Sequence, residues 1–216
     1  GPQFATENLA HNITGVSVTD VDGNLATSQI SVVNGTLTVS LAGGATISAG
    51  TNGSGSLTLS GTEAQINAAL ATISYQGNLN YEGSDLLTIL STDSDGVPLS
   101  DTDTVSISVD PVNDPPVNTV PGAQTVDEDT ALNITGVSVT DVDGNLATSQ
   151  ISVGDGTLTV SLAGGATISA GSNGSGTLTL AGTEAQINAA LATISYQGNL
   201  NFNGSDTFTI LSADSA

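Results

Sequence analysis

Lysine and arginine are absent from this 216-residue sequence, and so are cysteine, methionine and tryptophan. Each gap excludes something. Without a cationic side chain nothing can displace counter-ions from phosphates, so nucleic acid is excluded as a direct partner, and anionic membrane surfaces with it. Without Cys there are neither disulfides nor thiolate metal sites. With three Tyr, three Phe and no Trp, a core has to be built from Val, Ile, Leu and Ala, which pack well on pleated surfaces. No apolar run approaches the ~20 residues of a membrane-spanning helix. No basic leader opens the chain, which reads as a piece of something longer.

Negative charge is in excess: 21 acidic residues and a single His give a formal net charge of −21. Two carboxylates held ~4 Å apart repel by about 4 kcal/mol at an effective dielectric near 20, a large fraction of a domain's net stability. A bound divalent cation removes that repulsion. Catalysis has little to work with, because His11 is the only imidazole and Leu132 takes its place in the second copy described next. The acidic pairs fall on turns with no aromatic residues to line a sugar cleft, so the sequence argues against an enzyme.

An offset of 121 residues superposes 12–95 on 133–216 without a gap, and only eleven of the 84 positions differ. This tandem duplication gives one domain at 1–112, a linker at about 110–117 and a second domain at 113–216. The second copy lacks a counterpart of 104–109. An unfilled sheet edge there invites strand pairing from another chain.

Within a copy, short alternating runs at 16–19, 29–32, 36–41, 56–60, 86–91 and 104–109 read as half-buried strands. Asn34-Gly35, Gly43-Gly44 and Asn52-Gly53 punctuate them where positive φ is cheap. That spacing predicts an all-β chain of two tandem Greek-key β-sandwiches. One segment breaks the period: Thr62 and Gln65 form a capping box, and Ile66, Ala69, Leu70 and Ile73 share one face. A short helix is expected there and again at 183–191, closing the core.

Four carboxylate constellations stand out. Asp20-Val21-Asp22-Gly23-Asn24, repeated as Asp141-Val142-Asp143-Gly144-Asn145, follows a strand. An extended Asp-x-Asp points both carboxylates to one side and the Gly lets Asn add an oxygen, which suits a hard cation; the same residues also suit an Asx-type turn that needs no metal. Asp93-Ser94-Asp95-Gly96 ends a later strand, with Asp214 as the equivalent of Asp93. Asp85 and its equivalent Asp206 follow Gly-Ser, where an Asp either binds metal or caps a turn. The linker Asp110-Pro111-Val112-Asn113-Asp114-Pro115-Pro116 sets oxygen ligands among prolines that stiffen the chain. Asp93 to Gly96 begins like an EF-hand, yet no Glu falls at the twelfth position.

The order of Glu7, the Asp20 to Asn24 motif, a strand ending at Asp93 before Gly96-Val97-Pro98-Leu99, and a strand feeding Val112-Asn113-Asp114-Pro115-Pro116 resembles the cadherin repeat. It is most similar to the bacterial cadherin-like repeats of giant secreted RTX-type biofilm adhesins. The resemblance implies a cadherin- or Ig-like sandwich and several Ca²⁺ ions, chiefly at the junction between repeats and at the sandwich poles. It assigns one set of ligands to Glu7, Asn113, Asp114, Asp141, Asp143 and Asp214, with Asn145 adding an oxygen. Asp20, Asp22, Asn24 and Asp93 would serve a preceding repeat; Asp95 extends that cluster, and Glu128 repeats Glu7 in the second copy. Pro111 stands where the family has an Asp, which displaces Asp110, and Pro115 replaces the second linker Asn.

The implied function is a calcium-rigidified spacer of a secreted or bacterial cell-surface adhesin, whose partners are neighbouring repeats of the same chain. Near-duplication favours length as the selected property. The alternative is an adhesive module that binds carbohydrate or another surface through hydroxyl rows such as Thr36-Leu37-Thr38 and Ser56-Leu57-Thr58-Leu59.

Overall fold

Alternating apolar and hydroxyl side chains set the strands, and Gly and Asn set where they turn. The computed structural model describes residues 1–94, 97 and 99–215; the expected ligand Asp95 lies outside the described residues. The chain forms two units, Gly1–Val112 and Asn113–Ala216, each around its own apolar core.

The first unit contains β1 (Gln3–Thr6), β2 (His11–Asn12), β3 (Leu25–Ser31), β4 (Gly35–Thr38), β5 (Thr46–Gly50), β6 (Ser56–Ser60), α1 (Glu63–Leu70), β7 (Ser74–Gly77), β8 (Gly83–Asp93) and β9 (Ser100–Asp110). One sheet has the order β1-β9-β8-β3-β6-β5 and the other β2-β7-β4. All neighbours are antiparallel except β1 and β9, which run parallel with Ala5 opposite Val109. Ile30, Leu57, Leu59, Leu87 and Ile107 from the larger sheet meet Leu37 and Tyr75 from the smaller in one buried cluster. Burying each such side chain contributes about 1.5–3 kcal/mol.

The helix forms where expected. Thr62 caps it reciprocally: its hydroxyl accepts the Gln65 N–H at 3.3 Å while Gln65 Oε1 accepts the Thr62 N–H at 2.8 Å. Ile66, Ala69 and Leu70 face the core. Its polar side has a second role that sequence patterning did not reveal. Asn67 accepts the Val18 N–H at 2.9 Å and donates to the Val18 carbonyl at 2.8 Å, and Glu63 Oε2 accepts the Asp20 N–H at 3.1 Å. The helix therefore positions the acidic turn that follows Val18.

The second unit contains β10 (Val117–Thr119), β11 (Ala131–Asn133), β12 (Ser138–Thr140), β13 (Leu146–Ser152), β14 (Gly156–Thr159), β15 (Thr167–Gly171), β16 (Thr177–Ala181), α2 (Glu184–Leu191), β17 (Ser195–Gly198) and β18 (Thr209–Asp214). Its sheets have the orders β15-β16-β13-β18 and β11-β17-β14, with β10 and β12 forming a separate antiparallel ribbon. Asn188 clamps Val139, and Glu184 Oε2 accepts the Asp141 N–H at 2.9 Å, as in the first unit.

Two expectations are corrected. Residues 16–19 are not assigned to a strand in the first unit, whereas their equivalents form β12 because β10 pairs with them. Alternation alone does not make a strand; a partner does. Gly35 is not a positive-φ turn residue, unlike Gly44 at +91° and Gly53 at +89°. It is needed for close approach, since a Cβ there would stand 2.5 Å from both the Gln76 carbonyl oxygen and the Tyr75 ring. In the first unit β1, β2, β5 and β7 had no expected counterpart. Among the described residues no helix is long and apolar enough to cross a membrane.

Candidate metal centre

At one pole of the second unit the linker turns onto the Asp-x-Asp-Gly-Asn loop. Asp141 is buried, with 8 % of its surface exposed, and its Oδ1 accepts the Asp143 N–H at 3.1 Å. Asp143 Oδ2 in turn accepts the Asp114 N–H at 2.6 Å, and carboxylate oxygens of Asp114 and Asp143 lie within 4.8 Å of one another. Asn113 donates to Asp214 Oδ2 at 2.9 Å and accepts from Asn145 at 2.6 Å. The oxygen of Asn145 faces Asp141 Oδ1 and Oδ2 at 3.2 and 3.1 Å. Turning the amide over supplies a donor to both in place of the one given to Asn113. Asp114 Oδ2 is buried without a hydrogen-bond partner.

Asn113, Asp114, Asp141, Asp143, Asn145 and Asp214 thus form one connected set in a chain with no Lys or Arg. Oxygens that ligate one Ca²⁺ at about 2.4 Å can be no more than about 4.8 Å apart. The Asp114 and Asp143 pair meets that bound. An all-oxygen donor set suits Ca²⁺ and does not suit zinc, which favours imidazole and thiolate.

The first unit repeats the loop. Asp20 Oδ1 accepts the N–H groups of Asp22 and Gly23, each at 3.0 Å, which is the Asx-type turn. Asp20, Asp22, Asn24 and Asp93 line a groove of about 510 Å³. Asp101 and Asp103 of β9 join them there. Sequence reasoning missed this pair; the available signal was a second Asp-x-Asp directly following the Asp93 turn.

Glu7 is 2 % exposed, its N–H donates to the Asp110 carbonyl at 3.0 Å, and its Oε1 has no hydrogen-bond partner. The Asp110 and Glu128 side chains are exposed. Asp85 serves the interior of its own sandwich: its carboxylate accepts the N–H groups of Val33, Asn34 and Leu86 at 3.2, 2.9 and 2.8 Å and the Tyr75 hydroxyl at 3.1 Å. Four donors match the roughly four lone-pair sites of a carboxylate. Asp206 takes the same set from Gly154, Asp155, Thr207 and Tyr196. In this structure both carboxylates fix turns. Burial, then the Asp85 charge, push the Tyr75 hydroxyl well above its ordinary pKa.

The family profile described as Protein GAMETE EXPRESSED 2 domain matches residues 5–102 and again 123–216. The chain belongs to this family. Each gamete expressed 2 domain coincides with one sandwich, and the match is not specific to RTX-type adhesins. Among curated proteins, none matches the chain.

Solved structures similar to the two domains include the C-terminal domain of the Streptococcus agalactiae antigen I/II polypeptide BspA, at 8 % identity and TM-score 0.24, covering 99 % of this chain and 95 % of that one. Extracellular cadherin domains 1–5 of protocadherin gamma B2 give 14 % identity and TM-score 0.28, covering 94 % of this chain and 39 % of that one. The C-terminal domain of the Streptococcus pyogenes antigen I/II-family protein AspA gives 10 % identity and TM-score 0.22, covering 96 % and 83 %. Two of these neighbours are antigen I/II C-terminal domains and one is a run of cadherin domains.

Proposed function

We propose that the two gamete expressed 2 domains are extender modules of a surface or secreted adhesion protein, and that Ca²⁺ bound at their acidic poles stiffens the chain. The observation that carries this reading is the connected set of Asn113, Asp114, Asp141, Asp143, Asn145 and Asp214, with a buried carboxylate oxygen and no Lys or Arg in the sequence to offset it. An ion seated there ties Asn113 and Asp114 to the Asp141 loop. Those two residues follow the prolyl bond at Pro111, so holding them removes most of the freedom left to the linker. The pole of the first unit offers a second acidic site through Asp20, Asp22, Asn24 and Asp93.

Extracellular calcium suits such a site, since modules of this kind bind at about 10⁻⁴ to 10⁻³ M. The setting we favour is the secreted bacterial adhesin that the sequence resembles. Calorimetric titration with CaCl₂, followed by melting and small-angle scattering with calcium or chelator, tests the proposal. Saturable heat, a higher melting temperature and a narrower distribution of molecular dimensions in calcium are expected. Equal melting temperatures with no binding heat overturn it.

A further inference from the structure

In each domain one helix stands between the acidic loop and the apolar core. The Asn67 side chain accepts the Val18 N–H at 2.9 Å and donates to the Val18 carbonyl at 2.8 Å, and Glu63 Oε2 accepts the Asp20 N–H at 3.1 Å. In the second unit Asn188 makes the same two bonds to Val139, at 2.9 and 2.8 Å, and Glu184 Oε2 accepts the Asp141 N–H at 2.9 Å. A side-chain amide offers the same donor and acceptor as a peptide group, so each Asn does for one residue what a neighbouring strand does for several. Glu63 and Asn67 are four residues apart and share one flank of α1, as Glu184 and Asn188 share one flank of α2.

The adjoining face of each helix is fixed. Ile66, Ala69 and Leu70 of α1 and Ile187, Ala190 and Leu191 of α2 are fully buried. The turn beyond the clamp is alike in the two units: Asp20 Oδ1 accepts the Asp22 N–H at 3.0 Å and Asp141 Oδ1 the Asp143 N–H at 3.1 Å, while the Asp20 and Asp141 carbonyls accept from Gly23 and Gly144 at 3.3 and 3.2 Å. Strand pairing beside the two turns differs, since β12 pairs with β10 and 17–19 are in no strand; the helix contacts do not differ. Asn is a weak helix former, so propensity alone does not favour Asn67 or Asn188 at a helix interior.

We infer that Glu63 with Asn67, and Glu184 with Asn188, are positioning residues for the two candidate cation sites: they hold each acidic loop in its ligating shape before an ion arrives and tie that loop to the core through one helix. The inference rests on calcium binding at these poles. A loop already held in shape loses less freedom when it binds, so the clamp raises affinity without contributing a ligand. The coupling is reciprocal, because the factor by which the closed clamp favours calcium is the factor by which calcium favours the closed clamp. Calcium is therefore felt in α2, although none of the candidate ligands belongs to it.

The experiment titrates the intact chain, Asn188→Ala and Glu184→Gln with CaCl₂, following the NMR amide signals of 141–145, and measures amide hydrogen exchange with calcium or chelator. Asn188→Ala removes both bonds to Val139; Glu184→Gln keeps an oxygen for the Asp141 N–H and removes only the charge. Asn188→Ala should weaken calcium binding at the second unit about tenfold, and Glu184→Gln should weaken it far less. In the parent, calcium should slow exchange at Val139, at Asp141 and across 187–191, and in Asn188→Ala the response at 187–191 should be lost while that at 66–70 is kept. If Asn188→Ala loses protection across β13 and β16, Glu184→Ala, which removes a single bond, carries the test with the same expectations. A parent that shows no calcium-dependent shift overturns the calcium reading and this inference with it. Parent-like affinity in Asn188→Ala, or protection by calcium confined to 141–145, overturns the inference alone. Equal weakening by Asn188→Ala and Glu184→Gln also overturns it, because the helix would then act through charge and not through position.

Discussion

Tyr75 donates its hydroxyl to Asp85 Oδ2 at 3.1 Å, and Tyr196 donates to Asp206 Oδ2 at the same distance. Asp206 stands three residues before β18, whereas the first pair joins the smaller sheet to the start of β8. In the first unit the same carboxylate also ends the β3 to β4 turn by accepting from Val33 and Asn34. Asp85→Ala leaves those buried or half-buried donors without an acceptor, which costs about 2–4 kcal/mol. For a domain of this size that lowers the melting temperature of the first unit by roughly 10–20 °C. A loss under about 0.5 kcal/mol, the range of ordinary surface substitutions, would show that the turn does not depend on the carboxylate.

The second pair predicts a pH dependence. Burial raises the Asp206 pKa, but the N–H groups of Asp155, Gly154 and Thr207, with the Tyr196 hydroxyl, outweigh it and hold the group below its ordinary value of 3.8. A carboxyl depressed by folding stabilises the folded state above its unfolded pKa and loses that contribution as pH falls through the folded pKa. Stability from Asp206 should be flat above about pH 5 and decline below about pH 4. Chemical unfolding of the chain and of Asp206→Asn across this range checks it. The difference between them should shrink as pH falls, and a difference that grows contradicts the assignment.

Local chemistry was legible in the sequence and long-range partnership was not. The capping box at Thr62 and Gln65 needs only three residues of chain, so α1 forms where pattern placed it. The strands β6 and β9 likewise follow alternation. The role of Asp85 depends on Val33 and Asn34, which are 52 and 51 residues away, and no spacing rule connects them. Asn67 reads as helix surface until it is seen to clamp Val18. Asp101 and Asp103 lie before the strand expected at 104–109, and only the packing of β9 brings them to the groove with Asp93. The strand expected at 16–19 fails for the converse reason: its pattern is right, but the β10 type of partner is what completes it.

Gly35 gives a prediction about packing separate from backbone conformation. Its φ is not in the left-handed region, so alanine carries no conformational penalty there. The added methyl instead meets the Gln76 carbonyl and the fully buried Tyr75 ring. Gly35→Ala should destabilise the first unit by about 1–3 kcal/mol through overpacking. Gly156→Ala should act alike, since a Cβ there faces the Tyr196 ring and the Gln197 carbonyl. Differential scanning calorimetry of the two variants separates the domains, and a neutral Gly35→Ala would mean that Tyr75 can move aside.

Asp143→Asn separates a calcium ligand from a turn cap by the sign of its effect. The substitution keeps an oxygen for the Asp114 N–H, which Asp143 Oδ2 accepts at 2.6 Å, and removes one charge from a chain of net −21. In chelator the variant should therefore match or exceed the parent by a few tenths of a kcal/mol, because like-charge repulsion falls. In calcium the order should reverse. A site with Kd of about 1 mM stabilises the parent by about 1.4 kcal/mol at about 10 mM calcium, and the variant should lose most of that gain. If Asp143→Asn lowers stability equally with and without calcium, the carboxylate acts only within the turn. The crossing of the two unfolding curves is a result that hydrogen bonding alone does not produce, since the amide preserves the acceptor and only the charge has changed.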